Sequence, residues 1–410
     1  MTDTAGAKPG LALDGVRVLA VEHFVAGPYA SLWLADHGAQ VIKVEPPGTG
    51  DQAREVGPFR ETEDGESRSL GLIRSNRNKL SLTLDLKTPE GVDVFKRLVA
   101  ESDVVLENLR ADSMQRLGLA YPVLKEVNPR LIYTSVSGFG HDDVLPSPCV
   151  SWPAFDVIVQ AMSGLMFRPE RQGPRPVYLG FPLADLFAGA LAYAGTVQAL
   201  YQRTVTGEGQ HVDIAMYDGG VVLNELALAT RDAVGQVPDS GVHFQAAPFG
   251  AYRVADGYLS IAVFSEKNWR AFCEVMGHPE LVDDPRYRSG RLRAQRYDEV
   301  REIVEGWFAE LTRDEAAERL RSVGVAAAPV EDVEDMLESE QAAARQMTLA
   351  VSDPAWGKVR LAGNPIKTSA EGPTPTVPAP SLGQHTHELL TALIGVGPDE
   401  LRALAEKGVI

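Results

Sequence analysis

Residues 16–45 read VRVLAVEHFVAGPYASLWLADHGAQVIKVE, and their periodicity decides the fold class. VRVLAV is short and β-branched, AGPYASLWLADHG has helical apolar spacing opened by Pro28, and QVIKVE is strand-like again. Strand, helix and strand in that order make a βαβ unit, because parallel strands need a crossover. LSLTLDL (80–86), the helical GVDVFKRLVAES (91–102), DVVLENL (103–109) and RLIYTSVSGF (130–139) continue the alternation. The expected architecture is α/β, with an open, mostly parallel sheet carrying helices on both faces.

A long helix is expected after Asp185, and TGEGQHVDIAMYDG (206–219) then supplies a Gly turn, a strand and a helix. Residues 235–260 turn richer in Gly, Pro and polar side chains, which marks a change of domain. Beyond it, AYRVADGYLSIAVFS has the pattern of a hairpin, and helices are expected at 266–276 and 295–322. These elements suggest a first large domain over 10–225, a smaller α+β domain over 230–330, and a linker and C-terminal part over 331–410. The last stretch carries the Pro-rich TPTVPAPSLGQHT (374–386) and a terminal helix, PDELRALAEKGVI.

The 410 residues carry a net charge of −17, with 44% hydrophobic and 23% charged side chains. That balance argues against nucleic acid or acidic membrane surfaces as partners, so an anionic ligand needs local Arg and Lys. Only Cys149 and Cys273 are present, which fits a reducing compartment and provides no disulfide framework or metal cluster. The opening MTDTAGAKPG lacks the apolar core of a signal peptide. No apolar run reads as a membrane span, the Gly- and Ala-rich stretch after Asp185 included. A cytoplasmic protein is expected.

Several catalytic signatures are absent. Glu45 ends the second strand, where a ribose-binding acid would sit, but the turn HFVAGP lacks two glycines of the dinucleotide fingerprint. GxSxG, the P-loop and HExxH do not occur. His385 and His387 are close in sequence and read as a helix entry or as surface residues, and no metal site is expected. What remains is Asp185, the single charge in PVYLGFPLADLFAGALAYAGTVQAL (176–200). Locally it reads as a helix N-cap after a strand-like PVYLGF. The same place suits a carboxylate held ionised by a helix N-terminus in an apolar pocket, and such a group is a nucleophile.

Beyond these local readings, AGPYASLWLADHGAQVIKVEPPGTGD (26–51), NRNKLSLTLDLKTPEG (76–91), ENLRADSMQRLGL (107–119) and NPRLIYTSVSGFG (128–140) occur in order. AFDVIVQAMSGLM (154–166), AAPVEDV (327–333), GNPIK (363–367) and LGQHTHELL (382–390) follow. Together they resemble the class III CoA-transferases, the group of formyl-CoA transferase and carnitine CoA-transferase. The resemblance implies that Asp185, in LADLFAG, is the catalytic nucleophile. CoA would move from an acyl-CoA to a free carboxylic acid through an aspartyl anhydride and an aspartyl-CoA thioester. CoA is then a cosubstrate, and no permanently bound cofactor is implied.

On the same basis Phe24, Val25 and Ala26 match the stretch lining the CoA thiol end, and Leu84 and Asn108 match adenosine-side contacts. Lys87 and Arg116 match CoA-contacting positions and would supply local cations for the phosphates. Asp156 matches an acidic residue near the site, which either orients substrate or caps a helix. Val25 and Pro46 stand where formyl-CoA-transferring members carry Gln and Arg, and no glycine run covers the site. The resemblance further implies a Rossmann-like large domain built from both chain ends, a smaller inserted domain and an interlocked homodimer. The alternative activity is that of an acyl-CoA racemase or epimerase of the same fold. Those enzymes carry a histidine where this chain has Phe155.

Overall fold

The computed structural model describes residues 10–168, 175–237 and 241–410. They form two compact units. One takes the described residues of Met1–Leu165, Tyr178–Leu223 and Glu340–Ile410, the other those of Met166–Val177 and Asn224–Ser339.

The first unit is built on six parallel strands: β1 (Arg17–Val21), β2 (Gln40–Glu45), β3 (Leu80–Thr83), β4 (Val104–Glu107), β5 (Ile132–Ser137) and β6 (Gln210–Ala215). Their order across the sheet is β3-β2-β1-β4-β5-β6, so the winding direction reverses beside β1. Alternation along each strand feeds two cores. In β1, Val18 and Ala20 face one side, while Leu19 and Val21 face the other. The first face packs against α1 (Ala26–Asp36) and α3 (Leu183–Thr206) through Ala30, Leu34, Ala188, Ala192 and Ala199. The second face takes Phe95 and Leu98 of the helix Pro89–Ala100, together with Leu389, Leu390 and Leu404 from the C-terminal helices. The C-terminal segment thus returns to the sheet.

Small residues let the helices of the first face approach closely. A Cβ on Gly189 would lie 2.8 Å from Ala26 O and 3.1 Å from Tyr29 Cβ. Gly189 is one turn beyond Asp185 on the same face of α3, so its close contact with α1 carries Asp185 toward the start of α1.

Three expectations are corrected. PVYLGF is not a strand; after Pro176 the chain runs irregularly to Pro182, because two prolines and the left-handed Gly180 (φ +80°) break any ladder. Helix α3 is by itself long and apolar enough to cross a membrane, although its Ala188, Ala192 and Thr196 are packed into the core. The 331 boundary moves as well: the first unit resumes at Glu340, since the helix Val333–Glu338 groups with the second unit.

That second unit holds the antiparallel hairpin Phe249–Val254 and Gly257–Ala262, with Ala326–Pro329 pairing on the second strand. Glu266–Met276 is helical, and the stretch 295–322 contains two helices, Tyr297–Phe308 and Arg313–Ser322. Thr312 and Glu315 form a capping box that starts the second of these.

Candidate active site

At the C-terminal end of β1, the turn into α1 is held in an unusual backbone state. Phe24 has φ +57°, a left-handed conformation disfavoured for a side chain of its size. Asn108 grips the turn by accepting from His23 N at 2.7 Å and donating to His23 O at 2.9 Å. Asp51 Oδ1 accepts from Phe24 N at 3.1 Å.

Beneath the turn lies a buried ionic lattice. Lys43 reaches Asp51 at 2.8 Å and Glu22 at 3.4 Å, and Lys79 reaches Glu22 at 2.7 Å. These four side chains have no exposure. Burial opposes ionisation of Glu22 and Asp51, but Lys79 and Lys43 outweigh it at Glu22, and Lys43 with His23 and the Ala53 amide outweigh it at Asp51, holding both carboxyls below their usual range. Glu45 is clasped by Arg54 through two 2.8 Å bonds and by Ser81 at 2.7 Å, so it braces the sheet edge.

A cavity of about 470 Å³ opens at this turn, lined by His23, Phe24, Val25, Ala26, Asn108, Arg110, Trp152, Phe155 and Asp185, among others. Helix α1 begins there with Val25 as its N-cap and no side-chain cap, so its first N–H groups have no side chain bonded across them.

Asp185 is not an N-cap. Helix α3 opens at Leu183 after Pro182, which places Asp185 in its first turn. The capping is done from elsewhere: Asp156 Oδ1, at the start of α2 (Asp156–Met162), accepts from Ala184 N at 2.7 Å and Asp185 N at 3.4 Å. Gln160 holds the other oxygen of Asp156 at 2.6 Å. With those donors engaged, Asp185 gains little from the helix end. Burial, reinforced by the nearby Asp156 charge and weakly opposed by Arg74, pushes its carboxyl up to about 7.

Comparison with known proteins gives this arrangement a context. Residues 13–386 match the family model described as CoA-transferase family III. A succinyl-CoA–D-citramalate CoA-transferase of Chloroflexus aurantiacus is 35% identical over 98% of this chain and 99% of its own length. A succinyl-CoA:mesaconate CoA-transferase of Haloarcula hispanica is 36% identical over 96% and 99%. The crystal structure of a CAIB/BAIF family protein from Brucella suis superposes with TM-score 0.81 at 32% identity, covering 94% of this chain and all of that one. The chain belongs to CoA-transferase family III.

Of the residues expected at the site of this transferase, Phe24, Val25, Ala26, Asn108 and Asp185 line one cavity. Leu84 does not; it is 1% exposed, within the core between the sheet and its outer helices. Lys87 is exposed in the turn before Pro89–Ala100. Arg116 is exposed and bonded to Asp112 and Ser113. Neither cation is on the cavity wall. Asn108 has its amide committed to the His23 backbone, and Asp156 serves the helix end rather than the cavity lining.

Sequence reading missed Arg110 and His23, both on the wall. Arg110 directly follows the quoted NL of ENLR, and that position was the available signal. His385 does enter a helix, with its Nδ1 accepting from Ser81 N at 3.1 Å.

Proposed function

We propose that Asp185 is the nucleophile of this CoA-transferase and that its acids are small dicarboxylates. The observation carrying the first part is a half-buried carboxylate on the wall of a cavity whose other face is an uncapped helix N-terminus. The second part rests on the substrates in the names of the relatives, citramalate and mesaconate among them.

In the first step a carboxylate oxygen of Asp185 attacks the thioester carbonyl, giving the aspartyl–acyl anhydride and CoA thiolate. The thiolate then attacks the aspartyl carbonyl, forming the aspartyl-CoA thioester and releasing the donor acid. An acceptor carboxylate attacks that thioester, and the freed thiolate takes the acceptor's acyl carbon, which regenerates Asp185. Thioester energy is conserved throughout, so water must be kept from the anhydride. The N-terminal amides of α1 are suited to the negative charge that builds on each carbonyl oxygen. Arg110 is the cation on the wall suited to an anionic group of either substrate.

The strand order supports a Rossmann-like reading of the first unit as the CoA-binding domain, with the second as the smaller inserted domain. An interlocked homodimer is supported by the helix Glu225–Val234, which buries none of its residues and exposes Leu226, Leu228 and Val234. The free thiols Cys149 and Cys273 suit a reducing compartment, the cytoplasm on this reading.

A racemase would need two bases flanking the α-carbon. Phe155 cannot move a proton, and Asp156 is turned to the helix end; His23 is the ring that keeps this second reading open, since it shares the cavity with Asp185. The test is to incubate the enzyme with succinyl-CoA, trap with hydroxylamine, and map the modified peptide. Modification at Asp185, with CoA exchange into a second dicarboxylate and no α-deuteration of a 2-methylacyl-CoA in D₂O, is expected. An unmodified Asp185 peptide with exchange intact would refute the nucleophile. Asp185-dependent deuteration without exchange would make the enzyme a racemase.

A further inference from the structure

A second cavity, of about 520 Å³, shares Ala111 and Val150 with the first and is walled in part by His141, Asp143 and His211. Here the fold joins residues far apart in sequence. His141, on the loop after β5, and His211 and Asp213, on β6, offer ligand atoms that all lie within 4.8 Å of one another. The left-handed Gly140 (φ +88°) shapes the approach, letting His141 N reach Asp213 Oδ2 at 2.9 Å.

Asp143 Oδ2 lies 3.2 Å from His211 Nδ1, which turns Nε2 inward to within 2.7 Å of Ser135 Oγ. The same hydroxyl lies 3.2 Å from His141 Nδ1 and 3.4 Å from Asp213 Oδ1, so it reaches all three side chains and rotates aside when an ion enters. His141 is 7% exposed, yet its Nε2 has no hydrogen-bond partner and stands 3.7 Å from Glu107 Oε1. Glu107, Asp143 and Asp213 therefore face two imidazoles, and among the described residues no lysine or arginine bonds to any of the three.

We propose that His141, His211 and Asp213 bind a divalent transition ion of the zinc class, with Asp143 orienting His211. Two imidazoles and one carboxylate form an N,N,O set typical for such ions with one position left open. A carboxylate on the outer nitrogen of a ligating histidine fixes its tautomer and direction. The ion brings positive charge to a site already lined by acidic groups, and the cavity supplies an entry path. Metal bonds of about 2.0–2.2 Å set tetrahedral ligand atoms roughly 3.3–3.6 Å apart. The 2.7 Å contact between His141 Nδ1 and Asp213 Oδ1 therefore opens on binding, and the widest separation closes. Gly138 and Val150, on the chain that carries His141, line the Asp185 cavity, so a bound ion ties that wall to the sheet.

The experiment uses the full chain, stripped with chelator and dialysed, then titrated with Zn²⁺ by calorimetry and with Co²⁺ by visible absorption. Expected are one tight equivalent per chain, Co²⁺ ligand-field bands, and a Zn²⁺-dependent rise in melting temperature. His141→Ala and His211→Ala should each weaken binding more than 100-fold, and Asp143→Asn by about 10–100-fold. His278→Ala, at an exposed histidine paired with Glu280, should change nothing. Circular dichroism establishes that each variant is folded. Wild type taking up no more Zn²⁺ than the folded His141→Ala/His211→Ala double variant, or showing no Co²⁺ bands, would overturn the site.

Discussion

Asp51 and Asp185 are both aspartates serving the turn between β1 and α1, yet their surroundings act in opposite directions. Asp51 has no exposure and should find ionisation harder, but Lys43 at 2.8 Å and the Ala53 amide hold its carboxyl far below the usual range. Asp185 is less buried and its carboxyl is pushed up to about 7, because burial strips its hydration and the charge that adds most to this is another carboxylate, Asp156. Burial alone does not set ionisation. A fixed counter-charge turns a buried acid into scaffold, while its absence leaves an acid available for chemistry.

The sharpest way to break this contrast is to neutralise each aspartate in turn. Asp185→Asn should lower CoA exchange by roughly 10⁴-fold with the fold intact, since an amide is a far poorer nucleophile than a carboxylate. Asp51→Asn should act mainly on stability. Exchange assays and thermal melts on the pair test this, and an active Asp185→Asn enzyme would end the comparison.

Next in size is the scaffold. Lys43→Met leaves Glu22 and Asp51 buried without one of their cations and should destabilise the protein by about 3–5 kcal/mol in denaturant titration. A change below about 1 kcal/mol would mean that the lattice is not what holds these carboxylates.

Gly189→Ala tests positioning. The added Cβ meets Ala26 O, so α3 must shift and carry Asp185 with it. A displacement near 1 Å should cost about 10²-fold in kcat with little loss of secondary structure. Wild-type kcat would show that the helix contact does not aim the carboxylate.

Smaller still, Arg110→Ala should raise KM for acyl-CoA by roughly three- to tenfold, with much less effect from Arg116→Ala or Lys87→Ala. The reverse ranking would place the phosphates on the outer surface.

The smallest effect is thermodynamic. The folded-state pKa of Asp185 lies above its unfolded value, so its contribution to stability is full in acid and is lost as pH rises through about 7. Asp185→Asn should therefore leave the melting temperature unchanged near pH 4 and raise it by a few degrees at pH 8. Equal shifts at both pH values would contradict the raised pKa.

Much of this was legible in the chain itself. The period-two and helical stretches of 16–45 predicted β1, α1 and β2, and the later runs located β3 to β6 within a few residues. Asp185 stood out because one charge in an apolar run demands a reason. Less legible were the partners. Nothing local in NRNK shows what its cations meet, yet Arg77 and Lys79 are 1% exposed. Lys79 bonds Glu22 and the Pro28 carbonyl, and these partners come from other parts of the chain. Asp156 and Asp185 gave no local sign that one would cap the helix carrying the other.

The α/β class and the succession of helices and strands could be read along the chain, because side-chain periodicity is a short-range property. Local polarity, by contrast, left Asp185 open between N-cap and nucleophile, and only the family resemblance favoured the second. Only the tertiary structure decided which acids are clamped by lysine, which is left to titrate near neutrality, and which histidines meet. Those outcomes depend on dielectric surroundings and on contacts between segments as distant as His141 and His211, or Asp156 and Ala184, which no window of sequence contains.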